Sequence, residues 1–136
     1  MERKVSEKKV DHCFIKFYYC NPYNNLNNCW RWLKNESEHI FSRRERQRVA
    51  NFGFQTILAA FFVDKGHVNG PEIHFISDKG IIYIFNARTH LYITLLIARP
   101  NQILRYYKAC QIEVNKNVDK VLKLARQHQL DMLNEI

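Results

Sequence analysis

No uninterrupted apolar run in this 136-residue chain approaches the about eighteen residues a membrane-spanning helix needs, and nothing behind the charged start Met-Glu-Arg-Lys-Val-Ser-Glu-Lys-Lys resembles a secretion signal. A protein working in the cytoplasm, without a membrane partner, is expected. The four cysteines, Cys13, Cys20, Cys29 and Cys110, form no C-x-x-C pair and are expected to stay reduced there. A zinc site from Cys13, Cys20, Cys29 and His12 is disfavoured, because the spacings are wider than common structural sites use. Glycine-rich phosphate loops, HExxH helices, G-x-S-x-G elbows and EF-hand loops are all missing, which excludes the common nucleotide hydrolases and metalloproteases. Paired carboxylates are scarce, and this argues against magnesium-dependent nuclease chemistry. No cofactor and no metal is expected.

What is present is positive charge. Twenty-one Lys and Arg against thirteen Asp and Glu leave a formal charge of +8 and a pI near 9.5, a field that attracts polyanions. Nucleic acid is therefore the first partner to consider. Apolar residues make up 46% of the chain, enough to fill one core, so one domain over residues 11–136 is expected behind a frayed basic tail at 1–10.

The pattern along the chain predicts an α+β fold. "CFIKFYYC" is short, aromatic and branched and reads as a strand, while "NPYNNLNN", with five Asn and a Pro in eight residues, reads as a loop. "CWRWLKN" suits a helical turn or a strand. In "SEHIFSRRERQRVANFG", Ser37 and Ser42 compete as N-caps and Gly53 sits where a helix would stop. Phe54, Ile57, Leu58, Phe61 and Phe62 recur at helical spacing and predict a second, buried helix ending near Gly66. Next come "EIHFIS", "GIIYIFN" and "HLYITLLIA", three antiparallel strands joined by Asp78-Lys79-Gly80 and by Asn86-Ala87-Arg88-Thr89. The third is expected to be central because its second half is apolar on both faces, and Asn86 is a residue that accepts a left-handed turn conformation cheaply.

After Pro100, "NQILRYYKACQIEV" is expected to be helical, with Ile103, Leu104 and Tyr107 against the sheet. The final stretch "NVDKVLKLARQHQLDMLNEI" is expected to form a helix capped by Asn117, with Val118, Val121, Leu122, Ala125, Gln129 and Met132 on one face. The whole is then a set of N-terminal helices on a three- to four-stranded antiparallel meander, followed by a C-terminal helix or helices.

Several residues suggest chemistry. Arg43, Arg44, Arg46 and Arg48 lie within six residues, and a helix carrying them could grip phosphate oxygens through guanidinium forks. His74 shares strand parity with Glu72 and Ile76, and His90 shares it with Tyr92 and Thr94, so an imidazole, a phenol and a hydroxyl are expected in a row on one sheet face. Arg88, in the link between two strands, would be displayed beside that face. Arg99, Arg105 and Lys108 interleave with Tyr106 and Tyr107, a composition that suits phosphate neutralisation and base stacking.

His39 followed by Arg43 and Arg48, a second helix closing at a glycine, and a meander ending on "YIT" together resemble the H-A-x-x-R domains and the wider barnase/EndoU/colicin/RelE-like ribonuclease toxin superfamily, over residues 37–99. Ile40 stands where that pattern has Ala, and the second Arg is displaced from the family spacing. The resemblance implies an RNA-directed protein of toxin-like fold, carried on a mobile element and facing an immunity protein or other protein partner. It implies metal-independent RNA cleavage in which His39 serves as base or acid, Arg43 holds phosphate and Thr94 supplies the polar position of the closing strand. His74, Arg88 and His90 come from the sheet pattern alone. A non-catalytic nucleic-acid binder and a protein-interaction module are the alternatives.

Overall fold

The computed structural model describes residues 19–36 and 51–134, the side chains of residues 35 and 36 excepted. The tail at 1–10, most of "CFIKFYYC", and the arginine-rich helix expected within 37–53 lie largely or wholly outside these residues. His39, Arg43, Arg44, Arg46 and Arg48 lie outside them too.

The fold is α+β. Among the described residues five antiparallel strands, β1 (Tyr19–Pro22), β2 (Ile57–Asp64), β3 (Glu72–Ser77), β4 (Ile81–Asn86) and β5 (Tyr92–Ile97), pair in sequence order. Three helices accompany them among the described residues: α1 (Asn28–Glu36), α2 (Pro100–Cys110) and α3 (Lys116–Asn134). The strand count exceeds the expected three to four because two segments join the meander from its N-terminal side.

One of these is β2, where a helix was expected. Residues 57–63 are apolar without interruption, so the helical spacing of Ile57, Leu58, Phe61 and Phe62 is satisfied by default and does not discriminate. Pairing to β1 and β3 decides the matter. A bulge between Ile57 and Ala59 places Leu58 and Ala59 toward the same core, while Phe61 and Val63 continue that face and Ala60 and Phe62 serve the other. Phe54, expected on the buried helical face, is 89% exposed.

The sheet is covered on both faces. Phe61, Val63, Ile76, Ile82 and Ile84 pack under α2 and α3, against Ile103, Tyr106, Val118 and Val121. On the opposite face Phe75, Tyr83, Phe85, Tyr92 and Leu95 cluster with Cys29, Trp32 and Leu33 of α1. In α2 the buried residues are Pro100, Ile103, Tyr106 and Tyr107, with Leu104 turned out to solvent, so Tyr106 takes the place expected of Leu104.

The helix starts obey local chemistry. The backbone N–H of Arg99 donates to Gln102 Oε1 at 2.8 Å ahead of Pro100. Asn115, not Asn117, caps α3: its Oδ1 accepts the Val118 N–H at 2.9 Å. Val118, Val121, Leu122 and Ala125 are buried as expected, but Gln129 and Met132 are exposed because the last turns of α3 run past the core. No described helix is long and apolar enough to cross a membrane.

Candidate functional site

The hairpin between β4 and β5 turns through a division of labour. Asn86 Oδ1 accepts the N–H groups of Arg88 at 2.8 Å and Thr89 at 2.9 Å, and Asn86 Nδ2 donates to the Asn69 carbonyl at 3.2 Å. Asn86 was expected to supply the left-handed residue. Instead it supplies the side-chain acceptor, and His90 adopts φ 64. Its ring stacks on Trp32 with centroids 4.0 Å apart. Arg88 is exposed, yet its guanidinium lies over Gly70, where an added Cβ would sit 3.0 Å from Arg88 Cζ and where φ is +91.

The expected row of His90, Tyr92 and Thr94 does not form. Tyr92 pairs with Phe85 and Thr94 with Ile84, so Ile93 is an extra residue that reverses the alternation. Tyr92 consequently packs with Phe85 on the α1 side, whereas Thr94 shares the side of Ile84 beneath α2 and α3. The Thr94 hydroxyl donates to the Leu95 carbonyl at 3.3 Å. His90 stands in the loop against Trp32. Nor is β5 central: it is an edge strand of the sheet as described, with Leu95 buried on the α1 side, Leu96 partly buried on the other side and Ile97 exposed.

A second arrangement surrounds His74. As its parity with Glu72 implied, the two side chains meet: His74 Nε2 lies 2.8 Å from Glu72 Oε1, and Lys65 Nζ lies 3.3 Å from the same oxygen. The other ring nitrogen, Nδ1, is 2.7 Å from the Tyr106 hydroxyl. A neutral imidazole donating from Nε2 to the carboxylate and accepting at Nδ1 from the phenol satisfies both contacts. Burial pushes the His74 pKa down, against the opposing pull of Glu72. Burial pushes Glu72 up, but hydrogen bonding to His74 and the charge of Lys65 hold it net below its usual value. Burial pushes the Tyr106 phenol far up. Tyr106–His74–Glu72–Lys65 is thus a polar line running from the core beneath α2 to half-exposed groups at the surface. The alternation of "EIHFIS" disclosed the Glu72–His74 half, while Tyr106, thirty-two positions from His74, carried no local signal.

The basic residues divide between two ends of the sheet. Arg88 precedes β5 and Arg99 follows it, so the strand separates them by about 20 Å. Arg99 and half-buried Arg105 belong to the α2 end. There the helical layer adds exposed Lys108 on α2 and exposed Lys116, Lys120, Lys123 and Arg126 on α3. Lys116, Lys120 and Lys123 recur at four- and three-residue intervals on the face opposite Val118, Val121 and Ala125. None of these three lysines is ion-paired to a carboxylate of the described residues.

Among the described residues no group of three or more His, Cys, Asp or Glu side chains is placed to hold a metal ion. Cys20 packs on the α2 side of the sheet and Cys29 on the α1 side, while Cys13 and His12 lie outside the described residues. No protein-family model, curated protein or solved structure matches the chain.

Proposed function

We propose that the protein binds RNA in the cytoplasm through the outer surface of its two C-terminal helices. The observation that carries this reading is the lysine row of α3, Lys116, Lys120 and Lys123, exposed on one face and flanked by Arg126 and by Lys108 of α2. A rigid helix presenting cations at one-turn intervals can follow a phosphate backbone, and the overall charge of +8 draws the polyanion in. Preference for RNA over DNA rests on the resemblance of residues 37–99 to ribonuclease toxins. Arg99 and Arg105 would extend the surface at the start of α2, whereas Arg88 would make a separate contact at the other end of the sheet.

Cleavage is the second reading, and it rests on His39 and Arg43, with Arg44, Arg46 and Arg48 holding the backbone. His90 and Thr94 do not support it as a pair, since the bulge at Ile93 turns them away from a common face. A protein partner, such as an immunity protein, would find apolar surface in Leu130, Met132 and Leu133 at the exposed end of α3.

Fluorescence anisotropy with a labelled single-stranded RNA, repeated across salt concentrations, tests the binding proposal. Affinity should fall steeply as salt rises. Salt-insensitive binding, or none at low salt, removes it. Incubating the same RNA with protein in EDTA tests cleavage; products that disappear in His39→Ala would support the second reading.

A further inference from the structure

Two thiols far apart in the chain meet at the edge of the sheet. Cys20 lies in β1, Cys110 is the last residue of α2, and ninety positions separate them. Their sulfurs are 3.5 Å apart, and the Cys110 thiol lies 3.2 Å from the Cys20 carbonyl oxygen, to which it donates. Both side chains are half-buried against the core under α2. Cys29, by contrast, is fully buried on the other side of the sheet.

We propose that Cys20 and Cys110 form a reversible disulfide that fastens β1 to the C-terminal end of α2. A disulfide requires sulfurs about 2.05 Å apart, so the pair has to close by roughly 1.5 Å. Its position at two element ends makes this small movement feasible. Cys110 ends its helix, with Gln111 already in the left-handed conformation at φ 57, and β1 is a four-residue edge strand. Neither side chain has to leave the interior of a helix or of a central strand.

The oxidant is a low-molecular-weight disulfide such as oxidised glutathione. Cys110, the less deeply buried thiol, loses its proton and attacks one glutathione sulfur, forming a mixed disulfide and releasing a glutathione thiolate that takes up a proton. The Cys20 thiolate then attacks the Cys110 sulfur, forming the protein disulfide and expelling the second glutathione, which is protonated in turn. Two protein thiols and one glutathione disulfide become one protein disulfide and two glutathione thiols. Burial pushes both protein thiols above the ordinary range, although the hydrogen bond between the two thiols partly offsets this at Cys110. The exchange is therefore slow at neutral pH and accelerates as pH rises.

Closing the link would enclose residues 20–110, with α1, β2 to β5 and the whole of α2, in one covalent loop. A loop of this length restricts the unfolded chain strongly, so the thermal midpoint should rise on the order of 10 °C. The test treats full-length protein with oxidised glutathione, digests it with trypsin and sequences the cross-linked peptides by mass spectrometry. Cys20 and Cys29 fall in one tryptic peptide between Lys16 and Arg31, so fragmentation has to assign the linked sulfur. The expected result is a Cys20–Cys110 cross-link, a raised midpoint that falls back when wild-type protein is reduced, and no oxidation-dependent rise in Cys110→Ser. A stable mixed disulfide, linkage to Cys13 or Cys29 instead, or a cross-link that leaves the midpoint unchanged overturns the proposal.

Discussion

The imidazole of His90 lies flat on the indole of Trp32, with 11° between the planes and 4.0 Å between centroids, while the His90 backbone sits at φ 64. The left-handed conformation costs an ordinary residue about 1–2 kcal/mol, and an aromatic stack contributes about 0.5–1.5 kcal/mol, so the two effects nearly balance. His90→Gly should therefore change stability by less than about 1 kcal/mol, since it loses the stack and relieves the backbone. His90→Ala loses the stack and keeps the strain, and should cost about 1 kcal/mol. Urea unfolding of both variants checks the order; Ala more stable than Gly would contradict it.

The turn also rests on Asn86, whose Oδ1 accepts two backbone N–H groups. Asn86→Ala should cost about 1–2 kcal/mol and speed hydrogen exchange at the Arg88 and Thr89 amides. Asn86→Asp, which keeps the acceptor, should protect them. Equal exchange in the two variants would show that the side chain does not hold the loop.

The Glu72–His74–Tyr106 line makes stability depend on pH. Folding lowers the His74 pKa from its ordinary 6.5, so the unfolded chain takes up the proton more readily. The stability associated with neutral His74 is complete above 6.5 and is lost as pH falls from there through the lower folded value. Glu72 is also lowered, from 4.5, so its contribution is complete above that value and lost on further acidification. Denaturant midpoints measured from pH 7.5 downward should fall in both windows, and a flat profile between 6.5 and 4.5 would refute the His74 assignment. Tyr106→Phe, which leaves a buried ring nitrogen without its partner, should cost about 1–3 kcal/mol even at neutral pH.

Phe54 and Phe61 share a face if residues 54–62 are helical and differ sharply if β2 is a strand. Phe61 is 1% exposed and stacks on Tyr106, whereas Phe54 is almost fully exposed. Phe61→Ala should cost about 3–5 kcal/mol, and Phe54→Ala less than about 0.5 kcal/mol. Comparable losses by thermal denaturation would restore the helix.

For RNA binding, Lys120→Glu with Lys123→Glu should weaken affinity for every RNA sequence alike and flatten the dependence on salt. Each phosphate that is no longer neutralised reduces the steepness of that dependence by about 0.7 for single strands. An anisotropy titration of the double variant that overlays wild type would remove α3 from the interface.

Short-range chemistry made much of the architecture legible. Asp78-Lys79-Gly80 marked a hairpin, and Gly80 indeed takes φ +79 while its N–H donates to the Ser77 carbonyl. Pro100 and the spacing of Val118, Val121, Leu122 and Ala125 marked two helices, since capping and helical periodicity act within a few residues. The Glu72–His74 contact was readable for the same reason: side chains two apart on a strand share a face.

What the sequence alone determined, then, is the set of local structures its turn residues and periodic segments permit: the β3–β4 hairpin, the strands beside it, the two C-terminal helices and an excess of positive charge. Only the tertiary structure decided that residues 57–64 are a strand, because a continuous apolar run fits either form until neighbouring strands satisfy its backbone. It also decided, through one extra residue at Ile93, that Thr94 turns away from Tyr92, and it brought Cys20 to Cys110 and Tyr106 to His74. These last relationships depend on how separate elements pack, and packing joins residues that no periodicity along the chain connects.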